Sequence, residues 1–381
     1  MTRVLHVQKV SGISGSEAHL LSVLPLLRDR GWDARMLVLD EGEEGAARFV
    51  AELAARDVPT QRLRLRLDAD PVAFSRLVAL LRRERPTIVH THLVHADLLG
   101  LPAAALARVP VRVSTKHGFN AFRLRRGFGT LDRAAARLAD VQIAISRGLA
   151  VHLAAVEGFD AAAFEVVHYG IAAGPEAPPP PDEPRLLAVG RLIPIKGLDT
   201  LLRALAAARA AVPGVTLALA GSGPLEPELR RLSRELGLGD AVGFLGHVAP
   251  IGRELERALA VVVPSRGEGF GMVALEAMER SRAVVASAVG GLPELVVDGE
   301  NGLLVPPDDV EALAAALVRV ASDPAATRAM GDAGRRRALE AFPVAAPADR
   351  LDAIYRAALA RKSLSSAAPA STASSTSHGA R

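Results

Sequence analysis

Residues Val261 to Met278 read as an apolar run ending in a proline, a glycine-rich loop, and the start of a helical pattern. Glycines at 267, 269 and 271 let main chain approach a ligand closely, and a helix start offers unpaired N–H groups and a partial positive charge. Such a segment suits a phosphate. Glu276 lies about a turn into the helix, where a carboxylate can accept hydrogen bonds from a vicinal diol, as an acidic residue holds a ribose in dinucleotide-binding folds. Each such bond to a charged acceptor is worth about 1.5–3 kcal/mol. Glu268, on the loop, would enter the same cleft from another side. Ser265 also gives Glu268 the spacing of a capping box, although the glycines that follow oppose an immediate helix.

A second run, Leu186 to Gly197, again passes from strand to loop to helix. Gly190 begins the loop, and Arg191 and Lys196 flank a turn at Pro194, so both can face the strand's carboxyl end, where open α/β sheets bind ligands. Two cations there match a diphosphate whose charge must be stabilised as it leaves. Only four of the 46 basic residues are lysines, at positions 9, 116, 196 and 362, so Lys196 marks a place where a compact ammonium is kept in an arginine-rich chain. Nearer the start, Gly12 to Glu17 follows a strand and opens a helix, with Gly15 the candidate for close backbone approach and Ser14 and Glu17 spaced as a capping box. His117 ends another strand beside Gly118, a place suited to a ligand. His90, His92 and His95 have spacings that can bind zinc, but the aspartate expected of a metallo-β-lactamase-like motif is Val94 and no second ligand cluster follows.

These loops need scaffolds. Short β-rich runs alternate with helical ones: strands are expected at Arg3–Gln8, Ala34–Leu39, Thr87–Thr91, Val111–Thr115, Val141–Ile145 and Phe164–His168. A proline cluster, residues 174–184, interrupts the alternation, which resumes at Arg185–Val189, Val215–Ala220, Ala260–Val263 and Ala283–Ala286. The pattern is α/β with parallel sheets. The 381 residues exceed the ~250–300 that one core usually serves. The expected division is domain 1–173, linker 174–184, domain 185–346, a last helix 347–361 and a disordered tail 362–381.

Half of the residues are hydrophobic types, which excludes a disordered chain, and the absence of cysteine excludes a disulfide scaffold or a thiol nucleophile. A net charge of +4, dispersed along the chain, with 3% aromatics, argues against a nucleic-acid surface. In the folded part the longest run free of charged residues, Ala210–Leu225, contains Pro213, Gly214, Gly221 and Gly223 and is no membrane span. With no signal-peptide pattern at the start, a cytoplasmic protein is expected. Arg123, Arg125 and Arg126, followed by Phe128, are candidates for peripheral contact with the inner face of a membrane.

Taken together these motifs resemble the retaining glycosyltransferases of family 4, over the chain to about residue 361. The resemblance rests on Gly190 to Leu192 with Lys196 and Gly197, Ala220 to Pro224, Val242 to Gly246, Glu268 to Met278, Val289 to Val296, and Asn301 to Pro307. It implies the GT-B fold, two Rossmann-like doubly wound domains facing each other across a cleft, and transfer of a sugar from a nucleotide diphosphate sugar to a glycan or lipid-linked acceptor with retention, without a metal. It further implies Glu276 at the nucleotide ribose, Glu268 by the donor sugar, Arg191 and Lys196 at the diphosphate, and Gly15 and His117 on the facing domain. Gly221 and the segment Gly269, Phe270, Gly271, Met272 and Val273 complete the implied donor site. The last helix is expected to cross back to the first domain, and the cleft to close by a hinge at the proline linker. Ser281 departs from the family's pattern by standing where a glycine is common. The alternatives that remain are a sugar-nucleotide epimerase on the same fold and a zinc-dependent hydrolase built on His90, His92 and His95.

Overall fold

The computed structural model describes residues 1–67, 70–119 and 128–367; the basic group Arg123, Arg125 and Arg126 lies outside them. The chain forms two parallel sheets. The first runs β1 (Thr2–Lys9), β2 (Trp32–Asp40), β3 (Thr60–Arg64), β4 (Ile88–His92), β5 (Val111–Lys116), β6 (Val141–Ala144) and β7 (Phe164–Val166), in spatial order β3-β2-β1-β4-β5-β6-β7. The second runs β8 (Arg185–Val189), β9 (Thr216–Ala220), β10 (Val242–Gly246), β11 (Ala260–Val263), β12 (Ala283–Ser287) and β13 (Gly302–Val305), in order β10-β9-β8-β11-β12-β13. Strand order reverses between β1 and β4 and between β8 and β11, the places where doubly wound sheets open a crevice.

Helices on both faces explain the apolar strands: Val4, Val7, Val89 and Val262 are all buried. The three strands absent from the sequence reading, β3, β10 and β13, are all edges. β3 carries Gln61, Arg62 and Arg64 because one of its flanks meets solvent, and β10 contains Gly243, so neither shows the apolar run of an interior strand. The helix Gly15–Asp29 continues through Pro25. Ser281 adopts a left-handed φ of 55°, which accounts for the glycine common at that place in the resembling family.

After the helix Pro324–Ala341 the chain returns to the first sheet as the helix Ala346–Ala367, whose Leu351, Ile354, Tyr355 and Ala358 join that sheet's core. This crossing helix runs past residue 362, where the sequence places the start of a loose tail, because a packed helix extends at little cost per added residue. Lys362 on that last stretch pairs with Asp140 at 2.6 Å. The chain's two passages between halves lie side by side: Ile171 N donates to Phe342 O at 2.9 Å, and Ile171 bridges to Pro343.

The proline segment is not a free hinge. Prolines offer carbonyls but no N–H groups, and arginines of the second half take up those carbonyls. Arg282 donates to Pro178 O at 2.9 Å, Arg335 to Gly174 O at 3.1 Å and Arg328 to Pro180 O at 3.4 Å. The linker is thereby bonded to the second half along its length, which does not suit the hinge expected there. Arg282 is fully buried and also donates to the carbonyls of Leu255, Glu256 and Arg280. Arg282→Met should therefore cost about 3 kcal/mol by stripping a charged donor from four carbonyls, read as a lower urea midpoint of unfolding.

Candidate active site

On the second half the site is built by close backbone approach. A Cβ at Gly221 would lie 1.8 Å from Gly190 O, so the loops after β8 and β9 touch only because position 221 carries no side chain. The stem of Lys196, on a short turn Pro194–Lys196, runs past Gly190, where a Cβ would be 3.6 Å from Lys196 Cε. Lys196 Nζ meets Glu268 Oε2 at 2.6 Å, and Ser265 Oγ donates to the same oxygen at 3.3 Å. Glu268 therefore accepts from Ser265 and sits at the cation, but this is not the capping box its spacing offered: the bond comes from the Ser265 hydroxyl, and the helix begins only at Met272. Arg191 is exposed at the mouth of the loop.

Gly271, with φ of 106°, opens the helix Met272–Glu279 directly after Gly269 and Phe270. Phe270 is buried, whereas Met272 and Val273 are half-buried. Glu276, one turn along, is largely buried, and loss of hydration pushes its carboxyl up to about 7. A poorly solvated carboxyl that holds its proton up to about neutral pH gains its charge most readily when a ligand supplies donors, which is what a diol does.

On the first half, the capping box is present: Ser14 N donates to Glu17 Oε2 at 3.0 Å, and Glu17, itself buried, also accepts from Ser16 and Gln8. This fixes the glycine loop so that a Cβ at Gly15 would stand 3.5 Å from Met272 across the cleft. His117 follows β5, and a Cβ at Gly269 would lie 2.8 Å from its carbonyl oxygen. Both ring nitrogens of His117 are engaged, Nε2 with His92 at 2.9 Å and Nδ1 with Tyr169 Oη at 2.5 Å. Lys116 beside it points the other way and is fully buried between Asp97 at 2.6 Å and Asp132 at 3.2 Å.

The two halves also lock at one further point that the sequence did not suggest. Ser146 Oγ donates to Gly269 O at 2.6 Å, and Glu294 accepts from Gly148 N at 3.0 Å and pairs with His168 Nε2 at 2.7 Å. Burial alone would raise the Glu294 pKa, but the bonds from His168 and Gly148 bring it below its ordinary value. A Cβ on Gly148 would come within 2.0 Å of Gly290 O, so the halves close only over a bare backbone.

The metal-site reading changes. Among the described residues the histidines with ligand atoms near one another are His6, His90 and His92, within 4.8 Å, not His95, which lies on the following helix. His6 joins them because β1 and β4 pair in parallel with His6 opposite His90. Their nitrogens are already hydrogen-bonded to each other, to His117, to Tyr355 or to Thr115. Nothing local in the sequence links His6 or Tyr355 to this group; strand order brings in the first and the crossing helix the second. Tyr169 and Ser146 escaped notice as single residues without a motif of their own, whereas Glu294 lies in the Val289–Val296 motif, which carried no role for it.

The family model "Glycosyltransferase Family 4" matches residues 13–173, and "Glycosyl transferases group 1" matches residues 183–323. A glycogen synthase of Mycobacterium tuberculosis is 35% identical over 294 residues, covering 73% of this chain and 70% of that protein. The chain belongs to glycosyltransferase family 4. An alpha-maltose-1-phosphate synthase of Mycolicibacterium smegmatis is also 35% identical, over 72% of this chain and 79% of its own length. Among solved structures, sucrose-phosphate synthase from Thermosynechococcus elongatus superposes with a TM-score of 0.77 at 26% identity, over 94% of this chain and 100% of the other. Anabaena HepE, crystallised with UDP and glucose, gives a TM-score of 0.81 at 22% identity, over 94% and 100%. The fold is therefore GT-B and the chain a glycosyltransferase. Among the described residues no helix is long and apolar enough to cross a membrane.

Two outcomes follow from this geometry. Gly148→Ala should leave each half folded but prevent full closure, giving a larger radius of gyration in solution scattering with nucleotide present and a transfer rate well below that of the parent. For Glu276, a folded-state pKa of about 7 against an unfolded value near 4.5 means that the folded chain binds the extra proton between those limits. Stability should fall as pH rises from about 4.5 to 7, by at most about 3 kcal/mol, and that slope should be missing in Glu276→Gln when denaturation midpoints are compared across pH.

Proposed function

We propose that the enzyme transfers a hexose from a nucleotide diphosphate sugar to a glycan or lipid-linked acceptor with retention at the anomeric carbon, without a metal ion. The observation that carries this reading is the Lys196–Glu268 pair at 2.6 Å, set between the glycine contact of residues 190 and 221 and the helix start at Gly271. A diphosphate at that helix start would draw Lys196 off Glu268, and Arg191 is free at the loop's mouth to join it. Negative charge building on the leaving phosphate would then be met by two cations and by the N–H groups of the helix. Glu276 would hold the ribose hydroxyls and Glu268, released from Lys196, would face the donor sugar.

In this reading no side chain attacks the anomeric carbon. The bond to the leaving phosphate oxygen breaks as the acceptor oxygen bonds from the same face, and the acceptor's proton passes to that phosphate oxygen. The role of the protein is to hold the two oxygens on one face and keep water out, which the closing contacts at Gly148 and Ser146 support. UDP in HepE and the sugar-transferring relatives support a nucleotide sugar as donor.

The test is donor hydrolysis and transfer across a panel of nucleotide sugars. Glu276→Ala and Lys196→Ala should each abolish both while thermal unfolding stays cooperative; near-normal turnover in either variant would remove the assignment. Epimerised donor with no transfer product would favour the epimerase instead.

A further inference from the structure

Four histidines, two tyrosines and a threonine form one continuous hydrogen-bonded chain that the reading above leaves unused; its outermost imidazole is His117, which the family resemblance places on the domain facing the donor site. From the cleft inward, Tyr169 Oη lies 2.5 Å from His117 Nδ1, His117 Nε2 lies 2.9 Å from His92 Nδ1, and His92 Nε2 lies 2.9 Å from His6 Nδ1. His6 Nε2 then meets Tyr355 Oη at 3.4 Å, Tyr355 Oη meets His90 Nδ1 at 2.6 Å, and His90 Nε2 meets Thr115 Oγ1 at 2.6 Å. Both nitrogens of every imidazole are used. A neutral imidazole has one donor and one acceptor, so choosing the direction of one bond along His117, His92 and His6 chooses the others in that run, whereas the Tyr355 hydroxyl, one donor with two lone pairs, sets the direction toward His90 by where its own proton goes.

The rings are neutral. Burial holds His6 at about 3, with the nearby His19 adding to the effect, and burial holds His90, His92 and His117 well below the ordinary histidine value. Burial likewise keeps Tyr169 and Tyr355 as phenols. The geometry then selects a direction. The two shortest tyrosine contacts, 2.5 and 2.6 Å, are each to an Nδ1 and have the length of bonds donated by O–H, a stronger donor than an imidazole N–H. If both phenols donate, His117, His92, His6 and His90 all carry their proton on Nε2, and the long 3.4 Å contact falls to an N–H donor.

We propose that His6, His92 and Tyr355 are positioning residues that hold His117 as the Nε2–H tautomer, through a directional chain running from Tyr169 in the cleft to the crossing helix. Nδ1 of His117 is then an acceptor. A ligand group that displaces the Tyr169 hydroxyl there must donate a proton, so that point takes a sugar hydroxyl and rejects a carboxylate. This selectivity rests on the transferase reading, whereas the tautomer itself does not.

The test is NMR of the full chain carrying isotopically labelled histidine rings, with the His117 signals identified by their loss in His117→Gln. The expected spectrum shows all four rings protonated at Nε2 and bare at Nδ1. Tyr355→Phe keeps the ring that packs edge-on against Trp32 at 5.4 Å and removes only the hydroxyl. In that variant the His6, His92 and His117 nitrogen shifts should move toward values averaged between two tautomers, and kcat should fall several-fold with donor KM unchanged. A purely structural Tyr355 would leave the His117 shifts where they are. The proposal is overturned by a parent His117 protonated at Nδ1, by unmoved His117 shifts in Tyr355→Phe, or by stoichiometric zinc in the purified protein, since zinc on His6, His90 and His92 would take the nitrogens the chain needs. The spectrum of the parent protein decides the tautomer even if the variant fails to fold.

Discussion

A parallel strand buried on both faces has no side on which to carry polar groups, so its chemistry collects where the strand ends. That constraint organises this molecule. β4 is apolar at Ile88 and Val89 and then turns to His90, Thr91 and His92, all buried, at its carboxyl end. β8 and β11 do the same, ending at Gly190 and Pro264 before the loops that hold Lys196 and Glu268. Because strand order reverses beside β1 and β8, the ends lie next to an open crevice in each sheet, and two such crevices set face to face make the cleft.

Much of this was legible in the residues. The glycine loops, the paired glutamates and the cations are local patterns, and a glycine whose Cβ would strike a carbonyl, such as Gly221, has to remain glycine wherever the loop survives. What could not be read was whatever depends on which strands become neighbours. His6 is one histidine in an otherwise ordinary strand until β1 is paired with β4, and Tyr355 looks like one more apolar helix position until the crossing helix lies against His90. Edge strands were lost for the opposite reason: one open flank permits polar residues, and the apolar run that announces an interior strand is missing.

The basic composition resolves in similar terms. Arg282, Arg328 and Arg335 serve the carbonyls of the proline segment, and Arg266 bridges Asp199 and Asp308. A planar fork with several donors suits backbone carbonyls and carboxylate pairs, whereas the ammonium of Lys196 is a single point of charge that a ligand can draw away. Lys116 shows the other use of an ammonium, buried between two aspartates where it orders the strand end that carries His117.

The two passages of chain between the halves, at residues 170–171 and 342–343, run together and are bonded to each other. A single tether would let the halves bend, twist and drift apart. Two adjacent tethers act as the leaves of a hinge: bending about the line they define stays cheap, but rotation about the long axis would shear the Ile171–Phe342 bond. A closing motion that kept this bond would be confined largely to bending about that line. The halves also remain at high effective concentration for each other throughout.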